Sequence, residues 1–556
     1  MYRTLITIVV VAFLPSIALA QEDAQDIRLV VQVTVDGLRA DLLQRYQDSF
    51  SHGGFHRFME RGVWYTNAHH MHANTETIVG HATLATGAHP SEHGMIGNAW
   101  LDRVTGHLGY GIEDSEHPLL PVPGFGGKGQ QIDPSQAIAQ AGGRSPRNLL
   151  ATTFGDELFK TNNGRSKILG ISGKDRSAVA MAGHFGDAFW FSTSTGAFET
   201  SEYYFNSYPD WVTEWNSQRP ADVAIGTLWE LSTPKESYLL AENDDRPYEV
   251  DLKGFGRVFP HRYGTPEDGL YYTQVLLTPL GDELTARFAE TAVHAEGLGQ
   301  DAFTDYLSVS FSAVDAVNHL FGPSSLENEE IMRRLDQTLE QFFAFLDQEI
   351  GAEHILYVLS ADHGMPEMPE FMAEMGLSTA RNYNGALKDA LNANLAAEFG
   401  IQDAILQFFR PYIYLDRQAI AAAGLDKRAI ERSIVDDLES RDGIAIAMPR
   451  NPFPEQIGDF LEGPIRRNFH PQRSGDIYVA QAPYSFLFEA GAVAVMHGSP
   501  WRYDTHVPIM FSGPGIEPQV VSRQVSTVDV AITLSNLLGT TIPSSAAGQI
   551  LDEVVR

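Results

Sequence analysis

Residues 27–37 read IRLVVQVTVDG. An apolar run with few polar breaks, closed by Asp-Gly, predicts a buried strand that delivers Asp36 at its carboxyl end. The next stretch, RADLLQRYQ at 39–47, has helical spacing. A strand that hands a carboxylate to a turn before a helix is what an open α/β sheet offers at its ligand-binding edge.

The pattern recurs outward from there. KILGIS (167–172) runs into Lys174 and Arg176. TDYLSVSFSAVD (304–315) ends on Asp315, and HILYVLSADHG (354–364) places Asp362 and His363 just past a strand. VPIMFSGPG (507–515) is a late strand and turn. Helical stretches lie between them at 282–298 and 329–350, and 526–539 reads as a closing helix. This alternation predicts a doubly wound α/β core, with a mostly parallel sheet and helices on both faces.

Two stretches fit that core less well. Residues 186–270 are rich in Trp, Tyr, Pro and Gly and read as irregular elaboration. Residues 366–495 hold helix and strand candidates of their own and read as an inserted cap or lobe. The core is then 21–365 together with 496–556. No tandem repeat or low-complexity tract is present.

The first 20 residues, MYRTLITIVVVAFLPSIALA, have a short basic start, an apolar stretch and a small-x-small end. They read as a cleaved secretory signal peptide, which predicts a periplasmic or secreted protein. No later segment is a continuous apolar run of membrane-spanning length, so no membrane partner is expected. The chain has no Cys. Thiol chemistry is excluded, and metal ligands must be nitrogen and oxygen. The formal charge is −32, from 71 acidic and 39 basic residues. Such a surface repels duplex nucleic acid. The acidity also admits an added structural Ca2+, although there is no EF-hand loop. The oligomeric state is not legible.

Six residues of metal-ligand type fall in four clusters: Asp36; Asp315 and His319 in DAVNH; Asp362 and His363 in ADHG; and His497 in HGSPWRYDTH. The i,i+4 spacing of Asp315 and His319 puts both on one helical face. Carboxylates and imidazoles in this number can hold two zinc-like ions. Each cluster alone is also compatible with capping or structural roles. His506 rivals His497, and Asp504 is a candidate carboxylate for holding one of these imidazoles. His81 and His184 are candidates for outer or structural roles.

Thr77, in HANTETIVGHATLATG (72–87), is the candidate nucleophile. It is placed just before a helix starting near Gly80, with Thr75, Thr83 and Thr86 as rivals. Asn98 could donate to a nonbridging oxygen. Lys174 and Arg176, read as alternating residues of an extended piece, suit a dianionic group. Two ions and a hydroxyl point to hydrolysis or transfer at phosphorus or sulfur. The motifs of P-loop ATPases, zincins and common serine hydrolases are missing.

With these pieces in their order, the chain resembles the alkaline phosphatase superfamily. The matching segments are VTVDG, NTETIVGHATLATG, HPSEHGMIGN, KDR, DAVNH, ADHG and HGSPWRYDTHVPIMF. In detail it is similar to the phosphate-insensitive periplasmic bacterial alkaline phosphatases that use threonine, which lie close to the nucleotide pyrophosphatase/phosphodiesterases. The resemblance implies two Zn2+, one held by Asp36, Thr77, Asp362 and His363, the other by Asp315, His319 and His497. It makes Thr77 the nucleophile, and Asn98, Lys174 and Arg176 the contacts to phosphoryl oxygens. It implies a phosphomonoesterase acting on small phosphate monoesters through phosphothreonine. A phosphodiesterase or nucleotide pyrophosphatase with the same metals is the alternative, against which the Lys-x-Arg pair argues. Sulfatase chemistry is disfavoured by the lack of Cys. A phosphate- or metal-binding protein without catalysis is the reading from a different class. Val79 stands where relatives commonly carry Pro, which predicts an altered local geometry beside the nucleophile.

Overall fold

Leu29–Val35 is a strand, and every one of its residues is buried. A computed structural model describes residues 26–125, 133–489 and 493–555; the leader expected at 1–20 lies outside them. The strand lies inside a ten-stranded sheet. Its order is Gln519–Val521, Val63–His69, His506–Ser512, Ile355–Ser360, then Leu29–Val35 itself, followed by Asp305–Phe311, Ile168–Ser172, Asp187–Phe191 and Phe198–Glu199, with the tenth strand, Val525–Ser526, also paired to Val63–His69.

The centre of this sheet is parallel, and its register positions the site. Val35 stands level with Phe311, and Thr34 with Ser360. Three strands therefore end at one height, and Asp36, Asp315 and Asp362 follow those ends. The sheet is mixed towards its margins. His506–Ser512 runs antiparallel to both of its neighbours, and Phe198–Glu199 is an antiparallel edge.

Period-two alternation sends side chains of one strand to two cores. Leu29, Val31, Val33 and Val35 pack with Leu284, Phe288, Leu335 and Leu339 of the helices Pro279–Glu296 and Leu326–Leu346. Val30 faces the other way, among Phe154, Leu158, Val530 and Leu534 of the helices Phe154–Thr161 and Asp529–Leu537. Burial on both faces is why the strand reads as an apolar run rather than an alternation.

The stretch 186–270 is not wholly elaboration. Asp187–Phe191 and Phe198–Glu199 belong to the main sheet, because their aromatic side chains pack on Phe288 and its neighbours. The region 366–495 holds a separate four-stranded sheet, ordered Ile405–Phe409, Tyr412–Leu415, Ile477–Gln481, Ile444–Pro449. The helices Asn384–Phe399 and Lys427–Glu439 cover it through Leu391, Leu395, Ile430 and Ile434, which form a core of their own.

Candidate active site

Asp36 is the first residue beyond its strand and is fully buried. Gly37 follows with φ +74°, and a Cβ there would sit 3.0 Å from Asp315 Cα. Only glycine allows both that backbone conformation and that approach. The Gly37 N–H donates to Asp362 Oδ1 over 3.1 Å, tying two strand ends together.

Asp315 and His319 share the helix Ala313–Phe321, with His319 Nε2 3.3 Å from Asp315 Oδ1. His497 Nε2 lies 3.6 Å from the same oxygen. Each imidazole is oriented from behind: His319 Nδ1 bonds to Val495 O at 3.0 Å, and His497 Nδ1 to Thr75 O at 2.8 Å. A donor at Nδ1 leaves Nε2 as the lone-pair nitrogen facing the carboxylate.

On the other side, His363 Nε2 is 3.4 Å from Asp36 Oδ1 and 3.5 Å from Asp362 Oδ2. Its Nδ1 bonds to Gly364 O at 2.9 Å. Two sets of ligand atoms are close enough to converge on an ion: Asp315, His319 and His497; and Asp36, Asp315 and His363. Asp315 thus belongs to both sets. Asp362 Oδ2, beside the second set, is 3.1 Å from His81 Nδ1.

The donor set fits divalent metal. Asp36 Oδ1, Asp315 Oδ1, Asp362 Oδ2 and His363 Nε2 are buried without a hydrogen-bond partner, an expensive state unless a cation meets them. Lys174 Nζ reaches Asp36 Oδ2 at 2.7 Å and also pairs with Asp315, but three carboxylates crowd here. Burial and the neighbouring Asp362 charge push the Asp36 carboxyl well above its usual range. Burial acts the same way on Asp315, yet His319 and Lys174 outweigh it and hold that carboxyl well below. Burial drives His363 and His497 towards the neutral form, the form that ligates metal.

Thr77 is the first residue of the helix Thr77–Thr86, behind an extended Glu76. The helix therefore starts three residues before the expected Gly80, and Thr77 is not its cap. The reason is that Gly80 lies against the Asp362 loop rather than at a chain turn. Val79 sits in the first turn of this continuous helix. A first-turn N–H of this kind has no intrahelical acceptor in any case. The rival threonines are engaged: Thr75, Thr83 and Thr86 donate to Ser499 O, Val79 O and Ala82 O at 2.9, 2.8 and 2.6 Å. Thr77 Oγ1 instead accepts from Arg176 Nη2 at 3.5 Å. The Ile78 N–H donates to Asn98 Oδ1 at 3.1 Å.

Lys174 and Arg176 do not form an extended pair. Lys174 is extended, but Asp175–Ala182 is a helix and Arg176 is its second residue. The two cations diverge: Lys174 reaches the carboxylates, while Arg176 reaches Thr77 and, through Nη1 at 2.6 Å, Asp133. His506 stands apart from the cluster, bonded to Thr66 O at 2.9 Å and stacked on His69. Asp504 holds no imidazole; its Oδ2 accepts from the Ser499 N–H and hydroxyl at 2.9 and 2.6 Å. His81 braces the turn at Thr77 through Thr77 O, at 2.8 Å, and Ser310 Oγ, at 2.9 Å. His184 is away from the site, paired with Asp156 at 2.8 Å.

Two contributors were not singled out by the sequence, although Glu76 lies inside NTETIVGHATLATG. Glu76 Oε2 accepts from the Asn98 N–H at 2.6 Å, and Glu76 Oε1 meets Arg410 Nη2 at 3.1 Å. Arg410 also donates to His497 O. It belongs to the lobe, hundreds of residues from Glu76 in the chain, with no motif around it. Asn98, Lys174, Arg176, Asp315, His319 and His497 all open onto one cavity of about 420 Å³.

Comparison with known proteins agrees with this architecture. Residues 30–499 match the family model "Type I phosphodiesterase / nucleotide pyrophosphatase". Alkaline phosphatase PhoV of Synechococcus elongatus is 32% identical, over 95% of this chain and 93% of the relative. Alkaline phosphatase PafA of Elizabethkingia meningoseptica is 31% identical, over 95% and 94%. A Myroides odoratus protein named calcium-transporting ATPase is 31% identical over 100% and 99%. Among the described residues here, no helix is long and apolar enough to cross a membrane. The crystal structure of wild-type PafA superposes with a TM-score of 0.86, covering 95% of this chain and 99% of that one. A PafA variant structure carries substitutions at a Thr, an Asn, a Lys and an Arg. Their spacings equal those from Thr77 to Asn98 and from Lys174 to Arg176. The chain belongs to the type I phosphodiesterase / nucleotide pyrophosphatase family of the alkaline phosphatase superfamily and is closely related to the PafA-type threonine alkaline phosphatases.

Proposed function

We propose that this enzyme is a zinc-dependent phosphomonoesterase, an alkaline phosphatase that releases inorganic phosphate through a phosphothreonine at Thr77. The observation that carries the reading is the placement of Arg176 Nη2 3.5 Å from Thr77 Oγ1, with Lys174 lining the same cavity. A monoester presents a dianion, and Arg176 beside Thr77 together with Lys174 on the same cavity supplies two cations for its nonbridging oxygens. A diester has one such charge fewer and gains less from them.

One ion would be held by Asp36, Thr77, Asp362 and His363, the other by Asp315, His319 and His497. Divalent ions of the zinc kind supply Lewis-acid charge for an attacking hydroxyl and a leaving oxygen. Thr77 loses its proton to solvent, and its oxygen bonds to phosphorus as the bond to the leaving group breaks. The leaving oxygen takes a proton from water. A second water then attacks phosphorus as the bond to Thr77 Oγ1 breaks, one proton of that water restores the Thr77 hydroxyl by way of solvent, and phosphate departs. Two inversions give net retention. Arg176 and Lys174 stabilise the charge on the phosphoryl oxygens. Asn98 has its Oδ1 engaged by the Ile78 N–H, so its amide N–H is the group it offers to them. The leader-like segment at 1–20 supports export to the periplasm or beyond. An N-terminus at Gln21 in the purified exported protein is the expected result.

The test is kcat/KM for p-nitrophenyl phosphate against bis-p-nitrophenyl phosphate with zinc present. A monoester preference of many orders of magnitude supports the reading. A diester preference overturns it in favour of a phosphodiesterase. Tight phosphate binding without turnover of either ester points to a binding protein.

A further inference from the structure

The cavity that holds the phosphoryl contacts continues into an apolar wall. Leu252, Leu270, Leu277, Leu320, Phe488 and Met496 line it alongside Asp315, His319 and His497. These six come from distant parts of the chain. Leu252 lies in the loop region before residue 270, and Leu270 and Leu277 flank the helix Tyr271–Leu276. Leu320 follows His319 on its helix, Phe488 ends the short strand Phe486–Phe488, and Met496 precedes His497. Nothing in hydrolysis of a dianion calls for such a wall, because phosphate gains nothing from hydrocarbon. The group that gains is the one attached to the phosphate.

Geometry places that group here. In-line attack by Thr77 sends the leaving oxygen to the far side of phosphorus. Asp315, His319 and His497 line the cavity, and Thr77 does not. Arg176, which faces Thr77, and the ligand candidates Asp315, His319 and His497 all line the cavity, so a group attached to a phosphate held between them extends into it. At about 420 Å³ it has the size of a small-ligand pocket, which is typically mostly apolar with a few placed polar groups. The other polar groups in it are the exposed Asp251 and Lys253, the threonines Thr193 and Thr273, and Asp133 with its neighbour Ser135.

We infer that the cavity is a leaving-group subsite, and that the preferred substrates are phosphate monoesters of apolar alcohols or phenols rather than of sugars or other polyols. The inference rests on the monoesterase reading.

The experiment is kcat/KM for methyl, butyl and hexyl phosphate, with glycerol phosphate as the polyol, on the zinc-loaded enzyme. The alkyl series holds leaving-group basicity nearly constant, so the slope reports burial alone. A rise of about threefold per buried methylene is expected, with glycerol phosphate well below butyl phosphate. A flat series, or glycerol phosphate above butyl phosphate, overturns the inference while leaving the monoesterase reading intact. Absence of turnover for every ester, p-nitrophenyl phosphate included, strikes the monoesterase reading instead. Leu252→Asn provides a second measurement. Its hexyl-to-methyl ratio should fall about tenfold relative to the parent. An equal loss on both esters would show that Leu252 does not touch the leaving group.

Discussion

Arg410 and Glu76 meet at 3.1 Å, both buried, and join the lobe to the turn that carries Thr77. Glu76 also receives the Asn98 N–H, and Arg410 also donates to the carbonyl of His497. One ion pair thus includes the residue before Thr77, the proposed nucleophile, and bonds to Asn98, a candidate phosphoryl contact, and to His497, a metal-ligand candidate. Arg410 acts through other residues and is a positioning residue. Arg410→Ala should lower kcat by about 10–100-fold and loosen metal retention against a chelator, with a smaller change in KM. Arg410→Lys keeps the charge but loses the fork and should recover part of the activity. A change in stability alone, with kcat and metal retention untouched, would contradict this role.

Thr77→Ala removes the only oxygen facing Arg176 among the four threonines of this turn and helix. Rapid-quench experiments with labelled substrate should detect no phosphoenzyme, and kcat should fall by at least about 10³-fold. Thr77→Ser should retain a trapped phosphoenzyme. Turnover unchanged in Thr77→Ala would sink the nucleophile assignment.

Arg176→Ala should reduce monoester kcat/KM by about 10²–10³-fold and diester kcat/KM by much less. Lys174→Ala strips the ammonium from Asp36 and Asp315. It should therefore also change metal affinity, which Arg176→Ala should not. Equal losses on the two ester classes would remove the cations from monoester selection.

Gly80→Ala tests the packing of the helix Thr77–Thr86 on the Asp362 loop. A Cβ on Gly80 would sit 1.9 Å from the Asp362 carbonyl oxygen, so helix or loop must move. We expect destabilisation of about 1–3 kcal/mol in chemical unfolding, and loss of activity beyond what the population shift explains.

Asp504 gives a pH prediction. Burial pushes its carboxyl up to about 8, against the hydrogen bonds from Ser499 that pull the other way. The folded state therefore binds the proton more tightly than the unfolded chain. Stability from this group is complete below the unfolded value, near pH 4, and is lost as pH rises towards about 8. Asp504→Asn does not titrate. Unfolding midpoints at pH 5 and pH 8 should show the parent losing up to a few kcal/mol relative to Asp504→Asn as pH rises. A constant difference between the two would rule this out.

Strands and the main helices were legible because burial on both faces imposes apolar runs, and amphipathic helices impose a 3.6 period. Five of the six ligand-type residues were legible because each follows a strand or shares a helix face, while His497 stands in a loop and was marked by its HGSPWRYDTH setting. Resemblance then tied them to Thr77 and to the Lys-x-Arg pair. The local form of Lys174 and Arg176 was not legible, since three residues at a helix start look the same extended or helical. The membership of Asp187–Phe191 in the main sheet was hidden by its aromatic, irregular surroundings. Short-range chemistry, fixed by residue type and spacing, was thus set by the sequence itself: the donor atoms, the absence of thiols, the strand ends and the helix face of Asp315 and His319. Tertiary structure alone decided which threonine hydroxyl is turned to Arg176, which histidine stands beside Asp315, and that Arg410 reaches Glu76. Those contacts join residues far apart in the chain through the packing of whole elements, and no local pattern encodes the distance at which two elements come to rest.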